Sequence, residues 1–130
     1  IVQKIFTNFP EEFNGPFGSD KQTYRAFYEL RDWINNNICN DKPHIHCRFS
    51  LGQGNWTQVP WFAILDEREA SDTRNGFYIV GLFKHTMDGF YLCIAYLVLP
   101  YTGLLMLHTL DMQSIDHQNT HLKFLMLLFL

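Results

Sequence analysis

The sequence predicts an α+β domain: a curved, partly barrel-like antiparallel sheet of about four to five strands with helices packed on it. Three observations carry this. Residues 19–38 hold apolar side chains at helical spacing. From His44 onward the hydrophobic period shifts to two. The apolar runs after it are joined by polar connections too short for helical crossovers, which excludes a doubly wound α/β fold and leaves a meander.

Taken in order, residues 1–18 place phenylalanines at 6, 9, 13 and 17, a spacing that suits a short helix. Pro10, Gly15 and Pro16 are expected to break it. Ser19 or Asp20 is placed to cap a second helix running to about Ile38, with Tyr24, Phe27, Tyr28, Ile34 and Ile38 near one face. In HIHCRF, Ile45, Cys47 and Phe49 alternate with His44, His46 and Arg48, as in a half-buried strand. After the glycine loop LGQGNWTQ come the runs VPWFAIL, GFYIVGLF and FYLCIAY, separated by the turns DEREASDTRN and HTMDG. Alternation puts Trp61, Ala63 and Leu65 on one side of their strand, and Tyr78, Val80 and Leu82 together on the next. If these strands pair, Trp61, Tyr78 and Leu82 line one concavity.

Composition bounds the rest. At 130 residues the chain suits one domain. With 47% hydrophobic and 18% charged residues it is too apolar for intrinsic disorder. A net charge of −3 excludes a globally basic nucleic-acid coat but allows a local basic patch. Cys39, Cys47 and Cys93 lack metal or redox spacing and read as reduced thiols of a cytoplasmic protein. No apolar run reaches the roughly 20 residues of a bilayer span. The chain opens on Ile1 rather than Met, which reads as a fragment or a processed form.

Composition changes near Tyr96. Residues 1–96 hold 5 of the 16 leucines and 18 of the 21 aromatics, so residues 97–130 are set apart as a Leu-rich tail. One reading makes the tail a helical hairpin, with Leu104, Leu107 and Leu110, then Leu122, Leu125, Met126 and Phe129, as stripes. The other makes it a non-native, frameshifted end, because LKFLMLLFL would expose a sticky apolar terminus.

Candidate chemistry is sparse. His44 and His46 share a strand face, but no CxxC or HExxH pattern accompanies them, and no metal or cofactor site is expected. Ser50 and Ser71 lack a nucleophile-elbow frame, and GFYIVGLF carries no acid ahead of Lys84 for a metal nuclease. The chain reads as a binder rather than an enzyme. Gly52-Gln53-Gly54-Asn55 is neither a P-loop nor a dinucleotide fingerprint, but two tryptophans, Trp56 and Trp61, follow it closely. An aromatic cavity with a small apolar corner suits a flipped-out base, which needs stacking surface to offset unstacking costs. It also suits a small molecule or nucleotide, or it is plain core beneath a protein-interaction surface.

The stretch from Arg48 to Tyr96 resembles the N-terminal DNA-recognition domain of McrB-type, modification-dependent (type IV) restriction proteins. The resemblance rests on a Gly-x-Gly-Asn-aromatic loop, a Val-Pro-Trp-Phe strand, a Gly-aromatic-Tyr strand and an aromatic-rich strand ending in Ala-Tyr. It is strongest over residues 48–96 and assigns residues 1–96 to the domain. It implies a module that binds double-stranded DNA and extrudes a modified cytosine into a pocket of Trp61, Tyr78 and Leu82. Gly52, Gln53, Gly54, Asn55 and Trp56 would form the DNA-insertion loop. A family member known for flipping has a tyrosine where this chain has Gln53, which can wedge and hydrogen-bond but stacks poorly. Arg48, Thr57, Lys84 and His46 are the candidate phosphate contacts, with Lys42, His44 and His85 nearby. In the family a GTPase motor and a partner nuclease act with this domain; no GTP-binding motif occurs in this chain.

Overall fold

A computed structural model describes residues 1–70, 72–98 and 101–112, with side chains through Ala95. Two helices, α1 (Val2–Glu12) and α2 (Gln22–Asn37), precede five strands: β1 (Ile45–Ser50), β2 (Trp61–Asp66), β3 (Gly76–Phe83), β4 (Phe90–Val98) and β5 (Tyr101–Met112). The strands form one antiparallel sheet in the order β1-β2-β3-β4-β5. Among the described residues the edge strands β1 and β5 do not pair, so the sheet is not closed into a barrel. The α+β meander is the class that the change of period implies.

The first helix differs from expectation. It runs through Pro10, which sits in its last turn, so the one hydrogen bond that the missing amide removes lies at the end of the helix. Val2, Ile5 and Phe9 supply the buried stripe. The second helix starts at Gln22 with Lys21 at its N-cap, so neither Ser19 nor Asp20 caps it. The cap comes from α1 instead: the Gln22 and Thr23 amides donate to the two Glu12 carboxylate oxygens at 2.9 and 3.0 Å. Burial pushes the Glu12 carboxyl up, but hydrogen bonds from Thr23 and Gln22 and the charge of Lys21 outweigh it, leaving the group below its ordinary value.

Both helices pack on one sheet face. Phe27, Phe62, Phe83 and Phe90 are fully buried there, with Phe27–Phe83 ring centroids 5.2 Å apart and Phe83–Phe90 5.3 Å. Gly81 lets the Phe62 ring lie directly on β3, since a Cβ at that position would stand 2.1 Å from Phe62 Cε1. The opposite face carries a second cluster of Ala63, Leu65, Ala70, Tyr78, Val80, Cys93 and Ala95, against which Trp61 and Leu82 pack. The two-residue alternation of each strand therefore sorts side chains as the sequence predicts.

The tail departs from its helical reading over residues 101–112. Leu104, Leu107 and Leu110 lie in β5, which pairs with β4 through register shifts between Ile94 and Ala95 and between Tyr96 and Val98. An almost continuous apolar run does not distinguish helix from strand by period, and the free edge of β4 favours the strand. The second stripe, from Leu122 to Phe129, lies outside the described residues.

Candidate nucleic-acid interface

The antiparallel register brings two connections to one end of the sheet: the glycine loop between β1 and β2, and the hairpin between β3 and β4 that carries Lys84 and His85. The loop is closed at its base by a hydrogen bond from the Thr57 amide to the Leu51 carbonyl at 2.8 Å. Gly52 (φ +117°) is required there, because a Cβ would meet the Asn55 carbonyl oxygen at 2.0 Å. Gly54 (φ +74°) faces open space. Gln53, Gly54 and Asn55 form the exposed tip. The Phe83 amide donates to the Pro60 carbonyl at 2.9 Å and ties the far side of the loop to β3.

Trp56, expected with the insertion loop, turns inward. Its ring stands 5.0 Å from Phe17, 5.8 Å from Phe9 and 6.0 Å from Tyr24. It anchors the loop to the helices, and its indole Nε1 is buried without a hydrogen-bond partner among the described residues.

On the face turned away from the helices, the register aligns three transverse rows. The row nearest the loop is Ser50, Trp61, Leu82 and Tyr91; the middle row is Arg48, Ala63, Val80 and Cys93; the third is His46, Leu65, Tyr78 and Ala95. Trp61 and Leu82 are direct cross-strand neighbours. Tyr78 lies two rows away, about 13 Å along the strands at the usual rise. The three share a face, with Ala63 and Val80 as the floor between the rings. Tyr78 is held at the β2–β3 turn, its hydroxyl donating to the Thr73 carbonyl at 2.9 Å. Burial and the charge of Asp72 push its pKa up, so it remains a donor.

The candidate phosphate groups divide between two places. Arg48 and His46 lie along β1, the edge strand, where Arg48 Nε donates to His46 Nε2 at 3.1 Å and His46 Nδ1 faces Glu67 Oε1 at 3.4 Å. That chain leaves Nδ1 as the imidazole donor and partly offsets Arg48 with a carboxylate. Thr57 and Lys84 belong to the loop end, where the Thr57 hydroxyl accepts from the Val59 amide and Lys84 Nζ sits 5.0 Å from the Tyr91 ring centroid. Tyr91, exposed beside Leu82 in the Trp61 row, is a residue that sequence reasoning passed over. Strand alternation puts it on the same face as Leu82.

Among the described residues, no three His, Cys, Asp or Glu side chains gather where they could hold a metal ion, and no helix is long and apolar enough to cross a membrane. Burial, reinforced by Cys39, pushes the Cys47 thiol up to about 12, so it is no nucleophile.

The exposed glycine loop stands beside a sheet face that carries Trp61, Leu82 and Tyr78, and its match to a family pattern makes the chain a McrB-type recognition module. The chain belongs to the MrcB-like N-terminal domain family, whose pattern matches residues 4–101, about three quarters of its length. The match begins inside α1 and includes both helices, so the family pattern extends well beyond the 48–96 stretch. A search of curated proteins finds no match to the chain.

Proposed function

We propose that this domain reads modified cytosine in double-stranded DNA by drawing the base out of the duplex and onto the helix-free face of the sheet. The observation that carries the reading is the row arrangement: Trp61 with Leu82 and Tyr78 stand on either side of the small Ala63–Val80 floor. A base entering there meets an aromatic wall on each side and an apolar corner at Leu82. Stacking offsets the unstacking cost of a few kcal/mol. Gln53, at the exposed tip between two glycines, would enter the duplex and hydrogen-bond the orphaned partner base. Thr57 and Lys84 at the loop end, with Arg48 and His46 on β1, supply phosphate contacts. The GTPase motor and nuclease that complete such a system would come from other domains or chains.

Burying one methyl group is worth about 0.8 kcal/mol, or roughly fourfold in affinity, so preference for 5-methylcytosine should be modest. Fluorescence anisotropy with duplexes carrying cytosine, 5-methylcytosine or 5-hydroxymethylcytosine tests the reading. Tighter binding to a modified duplex, abolished by Trp61→Ala in a folded variant, supports it. Equal affinity for all three would reject base reading, and no binding by folded protein would reject the DNA assignment.

A further inference from the structure

A groove of about 370 Å³ runs between α2 and the edge strand β1 and ends at the glycine loop. Tyr24, Tyr28 and Arg31 line it from α2, and Arg48, Phe49 and Gly52 from β1 and the loop. Tyr24, Tyr28 and Arg31 fall one turn apart, so one helix face presents two phenols and a guanidinium in a line. Phe49 braces the rings, 5.1 Å from Tyr28 and 6.2 Å from Tyr24. Arg31 lies over the Tyr28 ring at 4.8 Å. It is held by hydrogen bonds from Nε and Nη2 to Asp32 Oδ1, which leave Nη1 without a hydrogen bond among the described residues. Tyr28 is 41% exposed, as Phe77 and Tyr91 are to a similar degree, so its ring is open to a ligand. The Asn35 side chain accepts from the Cys47 amide at 2.9 Å. An amide of the β1 edge that an added strand would need is thereby occupied, which disfavours an extended peptide as occupant.

We propose that this groove is a track for the sugar-phosphate backbone of the DNA strand flanking the flipped base, with Tyr24, Tyr28 and Arg31 as contacts. The inference rests on the DNA-reading assignment and adds a second contact surface to it. Its supports are continuity with Gly52 at the foot of the insertion loop and the chemistry of the lining. Phenol hydroxyls and guanidinium groups donate to phosphate oxygens, and ring faces pack on deoxyribose. Arg31 and Arg48 both border the groove, so two guanidinium groups stand within reach of a phosphate track. Each lies beside a carboxylate, Asp32 for Arg31 and, through His46, Glu67 for Arg48.

The test uses the 130-residue chain, unmodified and 5-methylcytosine duplexes, and salt titrations of wild type, Arg31→Gln and Tyr28→Phe. Thermal melting checks that each variant folds. Arg31→Gln should weaken both duplexes alike, by about five- to tenfold at low salt. It should also flatten the slope of log affinity against log salt by about 1 and leave the modified-to-unmodified ratio intact. Tyr28→Phe, which keeps the ring, should weaken both by about two- to threefold. A duplex with a photoreactive group on the phosphates flanking the modified base should crosslink to the peptide holding Tyr24 and Tyr28. Unchanged affinity and slope in both variants, with wild type still binding DNA, would overturn the groove and leave base reading standing. A variant that lost only the modified-to-unmodified ratio would overturn it as well. Trp61→Ala separates the two claims, since it should erase the ratio while the salt slope persists. If wild type binds neither duplex, both claims fall.

Discussion

Trp56 offers a sharp test of how the loop is held. Its ring fills the junction of Phe9, Phe17 and Tyr24, so Trp56→Ala removes the common partner of three aromatic contacts. Truncating a core tryptophan costs about 3–5 kcal/mol, and partial exposure places this site near 3. In a domain of roughly this size that lowers Tm by about 10–20 °C. Trp56→Phe should behave very differently. The smaller ring forfeits about 1 kcal/mol of burial. It also deletes an indole N–H that is buried without a partner, a defect of about 1–3 kcal/mol in its own right. The two effects oppose one another, and at the middle of that range they differ by about 1 kcal/mol in favour of the variant. Urea denaturation followed by far-UV circular dichroism should give a midpoint at or above wild type for Trp56→Phe and far below it for Trp56→Ala, at similar m-values. If Trp56→Phe proves as costly as Trp56→Ala, the indole nitrogen makes a bond that stability depends on, and the inward anchor has been misread.

Glu12→Gln weakens the cap that α1 supplies to α2 and should cost about 1 kcal/mol by the same denaturation assay. Because the folded-state carboxyl lies below its ordinary value, this contribution is present above that ordinary value and fades as pH falls through the lowered one. A pH series should therefore show wild type and Glu12→Gln converging in acid. Gly81→Ala drives a methyl group into the buried Phe62 ring and should cost about 3 kcal/mol or more, read as a fall in Tm. At pH 8 the buried Cys39, Cys47 and Cys93 should resist a thiol-titrating disulfide reagent, with Cys47 the most inert, and all three should react in denaturant.

What the sequence made legible was whatever depends on local period. Ile45, Cys47 and Phe49 had to face away from His46 and Arg48, and Trp61 had to share a side with Ala63 and Leu65, because side chains alternate along any strand. The face that gathers Trp61, Tyr78 and Leu82 followed from that rule together with the family resemblance. Features set by distant partners were not legible. Nothing near Gln22 announces that its amide is capped from Glu12, so the local rule chose Ser19 or Asp20. The burial of Trp56 depends on Phe9, Phe17 and Tyr24, which only tertiary packing brings together. Residues 101–112 read as helix or as a non-native end, because their apolar run carries no two-residue period and the free edge of β4 is set by tertiary pairing.

The two surfaces share a structural logic that separates their roles. The glycine loop joins β1 to β2, and its two strands open onto different sides: the side chain of Trp61 on β2 stands on the helix-free face, while Phe49 on β1 packs toward α2. Closed at its base by Thr57 and Leu51, and pinned to the helices by Trp56, the loop holds its exposed tip between the two. A duplex engaged by that tip would present its extruded base to the Trp61 side and its flanking backbone to the Tyr28 side. Base preference and salt-dependent affinity should then be set by different residues and mutate independently. That independence sets this arrangement apart from a single pocket in which the same rings do both.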